Sequence, residues 1–444
     1  MKRDLYKNLC DWKDEQGRRP LVLRGARQTG KTFLVNEFGK NEFASFVSLN
    51  FERNPEYKDI FITNVPKEIL ERIVLFTGKK VEEGKTLLFF DEIQECPAAI
   101  MCLRYFYEEM PEIHIIGAGS LLEFTLHSEK FRMPVGRVQY LFLYPLSFGE
   151  FIDAIGESSL RSHLYNFSNI ADLPGSLHNK LNEYIRKYFL LGGMPAVVNE
   201  YINTGDILKC NKIQRAIIDT YIDDFGKYSS KIKHRYLRKI MEAVPSMVGQ
   251  KFVYARVDDS IKSRELKEAF ELLEMAGVVY RVKRTSGDGV PLEANVKENF
   301  YKALFLDIGL MHSIIGIYED TAKGTDFNSI FRGSVTEQFT GQELIAYQNP
   351  ITRPMLYYWT REAKNSNAEI DYLIQKGSEI IPIEVKSGST GRLKSLTMFL
   401  EIFKISIGYK ISQATFQSEL PVNSLPFYAI ESFIKNIENS YGAI

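Results

Sequence analysis

Leu21-Val22-Leu23-Arg24-Gly25-Ala26-Arg27-Gln28-Thr29-Gly30-Lys31-Thr32 joins a short apolar run to a glycine-framed loop that ends in Lys-Thr. A buried strand that delivers such a loop to a helix starting at Lys31 aims backbone amides and the helix dipole at phosphate. Gly25 and Gly30 leave room for the N–H groups of Ala26, Arg27, Gln28 and Thr29 to wrap the phosphates. Lys31 offers a point charge to the β- and γ-phosphates, and Thr32 a hydroxyl to Mg2+. Sixty residues beyond Lys31, Leu87-Leu88-Phe89-Phe90-Asp91-Glu92 puts two carboxylates at the end of an apolar run. Asp91 is placed to hold Mg2+ through water, and Glu92 to act as general base toward an attacking water. The pair of motifs predicts binding and hydrolysis of ATP or GTP.

Around them the first third alternates strands and helices, as a parallel α/β sheet requires. Strands are expected at residues 21–24, 45–51, 86–90 and 114–117, with helices over 32–38 and 67–76. The strand at 45–51 separates the phosphate loop from the acidic strand, an order typical of the P-loop branch that carries a catalytic glutamate. No Asn-Lys-x-Asp guanine-reading motif occurs, which favours adenine. Ser120, ending the strand after Asp91-Glu92, is a candidate γ-phosphate sensor. Arg137, just after Gly136 where the chain is expected to leave the sheet, is a candidate transition-state arginine. Arg27 faces either the nucleotide or a neighbouring protomer.

At 444 residues the chain is long for one core, and roughly two to four domains are expected. Hydrophobic residues make up 45% and charged residues 25%, with a formal net charge of zero, so any nucleic-acid surface must be local. No apolar run approaches the roughly 18 residues that span a bilayer, and the N-terminus lacks a signal-peptide pattern. No membrane partner and a cytoplasmic location are the expectation. Cys10, Cys96, Cys102 and Cys210 form no zinc-type spacing.

Four segments are predicted: a P-loop ATPase domain over 1–150, a helical subdomain over 151–225, a winged-helix-like domain over 226–300 and a third α/β unit over 301–444. Gly192-Gly193-Met194-Pro195 breaks the helical stretch. From 226 to 284 there are 14 Lys/Arg against 7 Asp/Glu, in a helix, linker, helix, strand pattern that suggests a winged helix contacting DNA. In the last unit, strands are expected at 355–359, 369–374 and 380–386. Glu384 and Lys386 share one face of their strand because side chains alternate, and Asp371 can lie alongside from a neighbouring strand. With Glu337 from the preceding helix, these residues form the set of a PD-(D/E)xK nuclease: carboxylates for Mg2+ and a lysine near the attacked phosphate.

Taken together the chain resembles the prokaryotic AAA+-type ATPases that join a P-loop domain to a C-terminal domain of unknown function related to PD-(D/E)xK nucleases. The resemblance rests on residues 25–32, Phe90-Asp91-Glu92-Ile93-Gln94, Gly119-Ser120, Gly136-Arg137 and Tyr144-Pro145-Leu146-Ser147-Phe148-Gly149-Glu150-Phe151. Gly192-Gly193-Met194-Pro195, Trp359-Thr360-Arg361, Glu369-Ile370-Asp371 and Ile383-Glu384-Val385-Lys386 belong to the same pattern. It departs from that pattern at Ala26, where proline is favoured, a change that should leave phosphate binding intact. The resemblance implies an AAA+/ASCE-type sheet and a C-terminal restriction-endonuclease-like α/β domain. Three functional readings follow. The first is a Mg2+-dependent ATPase moving its C-terminal units on DNA or a protein partner, alone or as a homo-oligomer. The second is a non-hydrolysing ATP switch, and the third an ATP-regulated metal-dependent DNA nuclease.

Overall fold

The structure, a computed structural model, describes residues 1–119, 136–228, 231–316, 333–361, 368–388 and 393–439. The chain divides into two units, one comprising Met1–Tyr144 with Asn349–Arg353, the other Pro145–Gln348 with Pro354–Ile444.

The first unit is a five-stranded parallel sheet covered by helices on both faces. Its elements are α1 (Leu5–Asp14), β1 (Leu21–Arg24), α2 (Lys31–Glu42), β2 (Ser45–Asn50), α3 (Pro66–Thr77), β3 (Thr86–Asp91), α4 (Pro97–Glu109), β4 (His114–Ala118) and β5 (Gln139–Phe142). The strand order is β2-β3-β4-β1-β5. All six residues of β3 are buried, because a central parallel strand has helices on both sides and needs an unbroken apolar run. Its side chains alternate between the two layers: Leu88 and Phe90 pack with Ile69, Ile73, Ile100 and Leu103 of α3 and α4. Leu87 and Phe89 pack with Leu9, Trp12, Leu34 and Phe38 of α1 and α2. Here the expected exit from the sheet at Gly136-Arg137 is corrected, because β5 pairs in parallel with β1 through Leu21↔Gln139 to Arg24↔Phe142. Of its four residues only Leu141 is buried, so this edge strand lacks the apolar run that marks the central ones.

In the second unit helices come first. These are α5 (Phe148–Ala154), α6 (Ser158–Leu164), α7 (Phe167–Ala171), α8 (Gly175–Leu191), α9 (Pro195–Thr204), α10 (Ile207–Tyr228), α11 (Lys231–Met247) and α12 (Ser263–Met275). The Ser147 hydroxyl accepts from Glu150 N and the Glu150 carboxylate accepts from Ser147 N, a capping box that starts α5. Gly192 (φ 69°) and Gly193 end α8 where any Cβ would strike Asp307 or the Leu146 carbonyl, and Pro195 opens α9. Then follow β6 (Val279–Thr285), β7 (Val296–Phe305), α13 (Ile308–Ile315), α14 (Gly333–Ala346), β8 (Leu356–Thr360), β9 (Glu369–Lys376) and β10 (Glu379–Val385). The last elements are α15 (Lys394–Phe403), β11 (Gly408–Ser412), β12 (Gln417–Glu419), β13 (Val422–Pro426) and α16 (Ile430–Asn439).

The eight strands form one mixed sheet in the order β12-β13-β11-β10-β9-β8-β6-β7. The hairpin expected as the wing of a separate domain is the edge of this sheet. β6 pairs in parallel with β8 through Val282↔Leu356 to Thr285↔Trp359, and β7 runs across residue 300. α14 is buried almost all round, and its polar residues satisfy backbone groups elsewhere in the unit. Gln338 bonds both the N–H and the C=O of Phe305, Gln342 accepts from Ile308 N, and Glu343 accepts from Phe148 N with both oxygens.

Candidate functional sites

In the first unit the loop after β1 takes its shape from left-handed residues. Gly25 has φ 144°, Gln28 φ 63° and Gly30 φ 97°. A Cβ at Gly25 would lie 2.1 Å from the Leu143 carbonyl oxygen, so only glycine fits there. Thr29 Oγ1 donates to the Ala26 carbonyl at 3.0 Å, closing the loop on itself. The loop is also braced from α1's N-terminal side: buried Arg3 donates to the Thr29 carbonyl at 2.7 Å and to the Tyr144 carbonyl at 2.6 Å. Nothing in the spacing around Arg3 announces that role.

Lys31, the first residue of α2, is 7% exposed and donates from Nζ to the carbonyls of Gly25 (2.8 Å) and Ala26 (2.7 Å). Burial outweighs the attraction of Glu92 and Asp91 and lowers its pKa to about 8. Thr32 Oγ1 donates to Asp91 Oδ1 at 3.0 Å, and Asn50 Nδ2 donates to Asp91 Oδ2 at 2.8 Å. Asn50 ends β2 directly beside Asp91 in the sheet register, so strand pairing supplies a partner that the one-dimensional motif does not contain. Burial first, then the neighbouring Glu92 charge, raises the Asp91 pKa. Glu92 turns off the strand in a left-handed conformation (φ 50°, ψ 48°), and Gln94 Nε2 donates to its Oε2 at 2.7 Å. A hydroxyl beside a carboxylate is the oxygen donor set of a hard divalent cation, and a buried ammonium stands one residue away; the residues fit Mg2+ with a nucleotide.

Arg137 pairs with Glu108 of α4 at 2.8 Å on an exposed surface, with Tyr107 beside it, and no bond to the loop is present among the described residues. Arg27 is half-buried, and Ser120 lies outside the described residues.

The second unit gathers Glu337, Asp371, Glu384 and Lys386 into one cluster. Asp371 Oδ2 accepts from Val385 N at 2.8 Å, locking β9 to β10, and Lys386 Nζ lies 2.5 Å from Glu384 Oε1. At its centre is a residue that the motif reading omitted. Lys302 of β7, 3% exposed, holds its Nζ 2.5 Å from Glu369, 3.1 Å from Glu337 and 3.5 Å from Asp371. The Tyr358 ring lies 5.4 Å away. Three carboxylates outweigh burial and raise the Lys302 pKa. Burial and the Asp371 charge push Glu337 and Glu384 upward. The one sequence signal for Lys302 is a lysine inside an otherwise apolar strand end, Tyr301-Lys302-Ala303-Leu304-Phe305. Because an ammonium stands among these carboxylates, the set does not fit a divalent metal, and no group of three or more acidic, histidine or cysteine side chains placed to hold a metal occurs among the described residues.

Several basic residues of 226–284 are ion-paired within the unit. Lys239 meets Asp258 at 2.6 Å, Arg238 meets Glu242 at 2.8 Å, Arg281 meets Glu274 at 3.1 Å and Arg264 meets Glu268 at 3.6 Å.

Three family models match successive parts of the chain: an AAA domain over residues 17–152, a domain of unknown function (DUF8612) over 182–321 and a domain of unknown function (DUF4143) over 332–430. No curated protein matches the sequence. Among solved structures, the Aeropyrum pernix Orc2 protein in ADPNP-ADP complexes is similar at 13% identity, over 72% of this chain and 92% of that one, with a TM-score of 0.34. The Thermotoga maritima RuvB Holliday junction branch migration motor is similar at 18% identity, over 64% and 90%, with a TM-score of 0.31. The Aeropyrum pernix Orc1 protein in complex with DNA is similar at 12% identity, over 72% and 92%, with a TM-score of 0.28. The stretch that matches an AAA domain, residues 17–152, holds both the glycine-framed loop after β1 and the Asp91-Glu92 pair at the end of β3.

Proposed function

We propose that this protein is a Mg2+-dependent ATPase whose turnover in the first unit drives conformational change in the second. The observation that carries the reading is the Thr32 hydroxyl bonded to buried Asp91, one residue from an ammonium whose hydrogen bonds go to the Gly25 and Ala26 carbonyls. A phosphate offers Lys31 a full negative charge in place of two dipoles, so the ammonium turns from Gly25 and Ala26 to the nucleotide. The amides from Ala26 to Thr32 and the start of α2 face the same charge. When bound through Thr32 and Asp91, Mg2+ supplies neutralisation of the phosphate charge that builds up in the transition state. Asn50 keeps the Asp91 carboxylate oriented, and Gln94 holds Glu92, the general base that takes a proton from the attacking water. Arg3 fixes the loop by its Thr29 carbonyl. Arg137 and Ser120 remain candidates for transition-state stabilisation and γ-phosphate sensing, Arg137 after exchange of its Glu108 partner.

The test is steady-state ATP hydrolysis by wild type and Glu92→Gln, with and without double-stranded DNA. ATP binding is expected to persist in the variant while hydrolysis falls by about a hundredfold or more. Normal turnover by Glu92→Gln would remove Glu92 from the role of base. DNA is proposed as a partner through the basic stretch of 226–284, and stimulation of turnover by DNA is the result that supports it. Turnover indifferent to DNA assigns the output to a protein partner or a second copy of the chain.

A further inference from the structure

We propose that Lys302 is a built-in cation standing where the surrounding carboxylates would otherwise collect a divalent metal, so that the second unit binds no Mg2+ or Mn2+ there and cuts no phosphodiester bond. Two observations carry this independently of the nucleotide site. The first is position. Glu337 comes from α14, Glu369 and Asp371 from one face of β9, and all three turn oxygens toward a single nitrogen on β7 at 2.5–3.5 Å. A hard divalent ion needs several carboxylate oxygens converging on one point, and here that point holds an ammonium. The second is enclosure. Lys302 is 3% exposed, it comes from the middle of the sheet-forming hairpin, and Tyr358 lies beside its ammonium, so it cannot swing aside as a surface lysine does.

The remaining members are arranged consistently with that role. Lys386, the lysine that a nuclease would set against the attacked phosphate, is paired with Glu384 at 2.5 Å, and Asp371 spends its second oxygen on the Val385 amide at 2.8 Å. Each carboxylate in the cluster therefore has at least one donor from the chain itself, while the buried Oε2 of Glu384 has none. What the cluster does instead is mechanical. It ties the β6–β7 hairpin to α14 and to β9 and β10, elements more than thirty residues away along the chain.

The experiment is a Mn2+ titration of the full-length, nucleotide-free protein, read by electron paramagnetic resonance and by thermal melting. Wild type, Asp371→Asn, Lys302→Ala and the double variant Lys302→Ala/Asp371→Asn are compared. Wild type and Asp371→Asn should bind the same amount of Mn2+, because any ion held by Thr32 and Asp91 is common to both. Lys302→Ala should gain an additional Mn2+ and a rise in melting temperature of about 5 °C on adding saturating metal. The double variant should lose both gains. Mn2+ bound by wild type and lost in Asp371→Asn would overturn the proposal, as would divalent-dependent DNA cutting that Asp371→Asn abolishes. A folded Lys302→Ala that gains no Mn2+ would also overturn it. Should Lys302→Ala fail to fold, the comparison of wild type with Asp371→Asn decides alone.

Discussion

Two buried lysines, Lys31 in the first unit and Lys302 in the second, face opposite chemistry. Lys31 is 7% exposed, donates to two carbonyls, and has its pKa lowered to about 8. Lys302 is 3% exposed, meets three carboxylates, and has its pKa raised. Desolvation is the largest influence on both, so the sign of the net shift is decided by what charge the fold places nearby. An ammonium that its own fold leaves under-compensated is a site for an anionic ligand. One that is fully compensated is a structural link, however closely its neighbours match a catalytic motif.

Neutral replacements should separate the two most sharply. Lys302→Met leaves buried carboxylates without their cation, and should cost about 3–5 kcal/mol of stability in chemical denaturation. Retention of full stability would mean that the cluster does not depend on the ammonium. Lys31→Met should leave the nucleotide-free protein about as stable as wild type, since the burial of this ammonium outweighs the attraction of Glu92 and Asp91. Its ATP affinity, measured calorimetrically, should fall about a hundredfold, roughly 3 kcal/mol; unchanged affinity would dismiss the nucleotide-site assignment.

His312 gives an intermediate case. It is fully buried, its Nδ1 lies 2.5 Å from the Phe189 carbonyl, and burial lowers its pKa to about 4. With an unfolded value near 6.5, the unfolded chain takes up a proton that the folded one refuses between those two values. Its contribution is therefore intact above about pH 6.5 and is lost as the pH falls toward 4, by up to about 3 kcal/mol. Denaturation midpoints across that range should show a slope that His312→Asn reduces. Arg3→Met should have the smallest effect. Losing the bonds to the Thr29 and Tyr144 carbonyls should weaken ATP binding about tenfold, near 1–2 kcal/mol. A loss in stability with ATP affinity preserved would assign Arg3 to the fold rather than to the loop.

Much of the first unit was legible because its central strands are covered on both faces. The runs Leu21-Val22-Leu23 and Leu87-Leu88-Phe89-Phe90 have no polar alternation to confuse them with surface, and the phosphate loop and Asp91-Glu92 follow directly from their ends. β5 escaped notice because an edge strand with one buried residue in four carries little of that signal. Asn50 sat within a recognised strand, yet its value comes from lying opposite Asp91 across the sheet. In the second unit β8, β9 and β10 were expected and β11, β12 and β13 were not, whereas the merging of β6 with β8 depends on pairing residues more than seventy positions apart. Hairpin propensity carries no information about which strand covers its outer edge.

The sequence alone determined which chemistry is local: a loop whose glycines admit phosphate, a helix starting at its lysine, and carboxylates at the end of an apolar strand. Each of these depends on neighbours within a few residues, and their identities are written in order along the chain. Only the tertiary structure decided what compensates each buried charge, because Arg3 at the loop, Asn50 at Asp91 and Lys302 among Glu337, Glu369 and Asp371 arrive from distant segments. Electrostatic energy depends on separation in space and on burial, and neither is a function of separation along the chain.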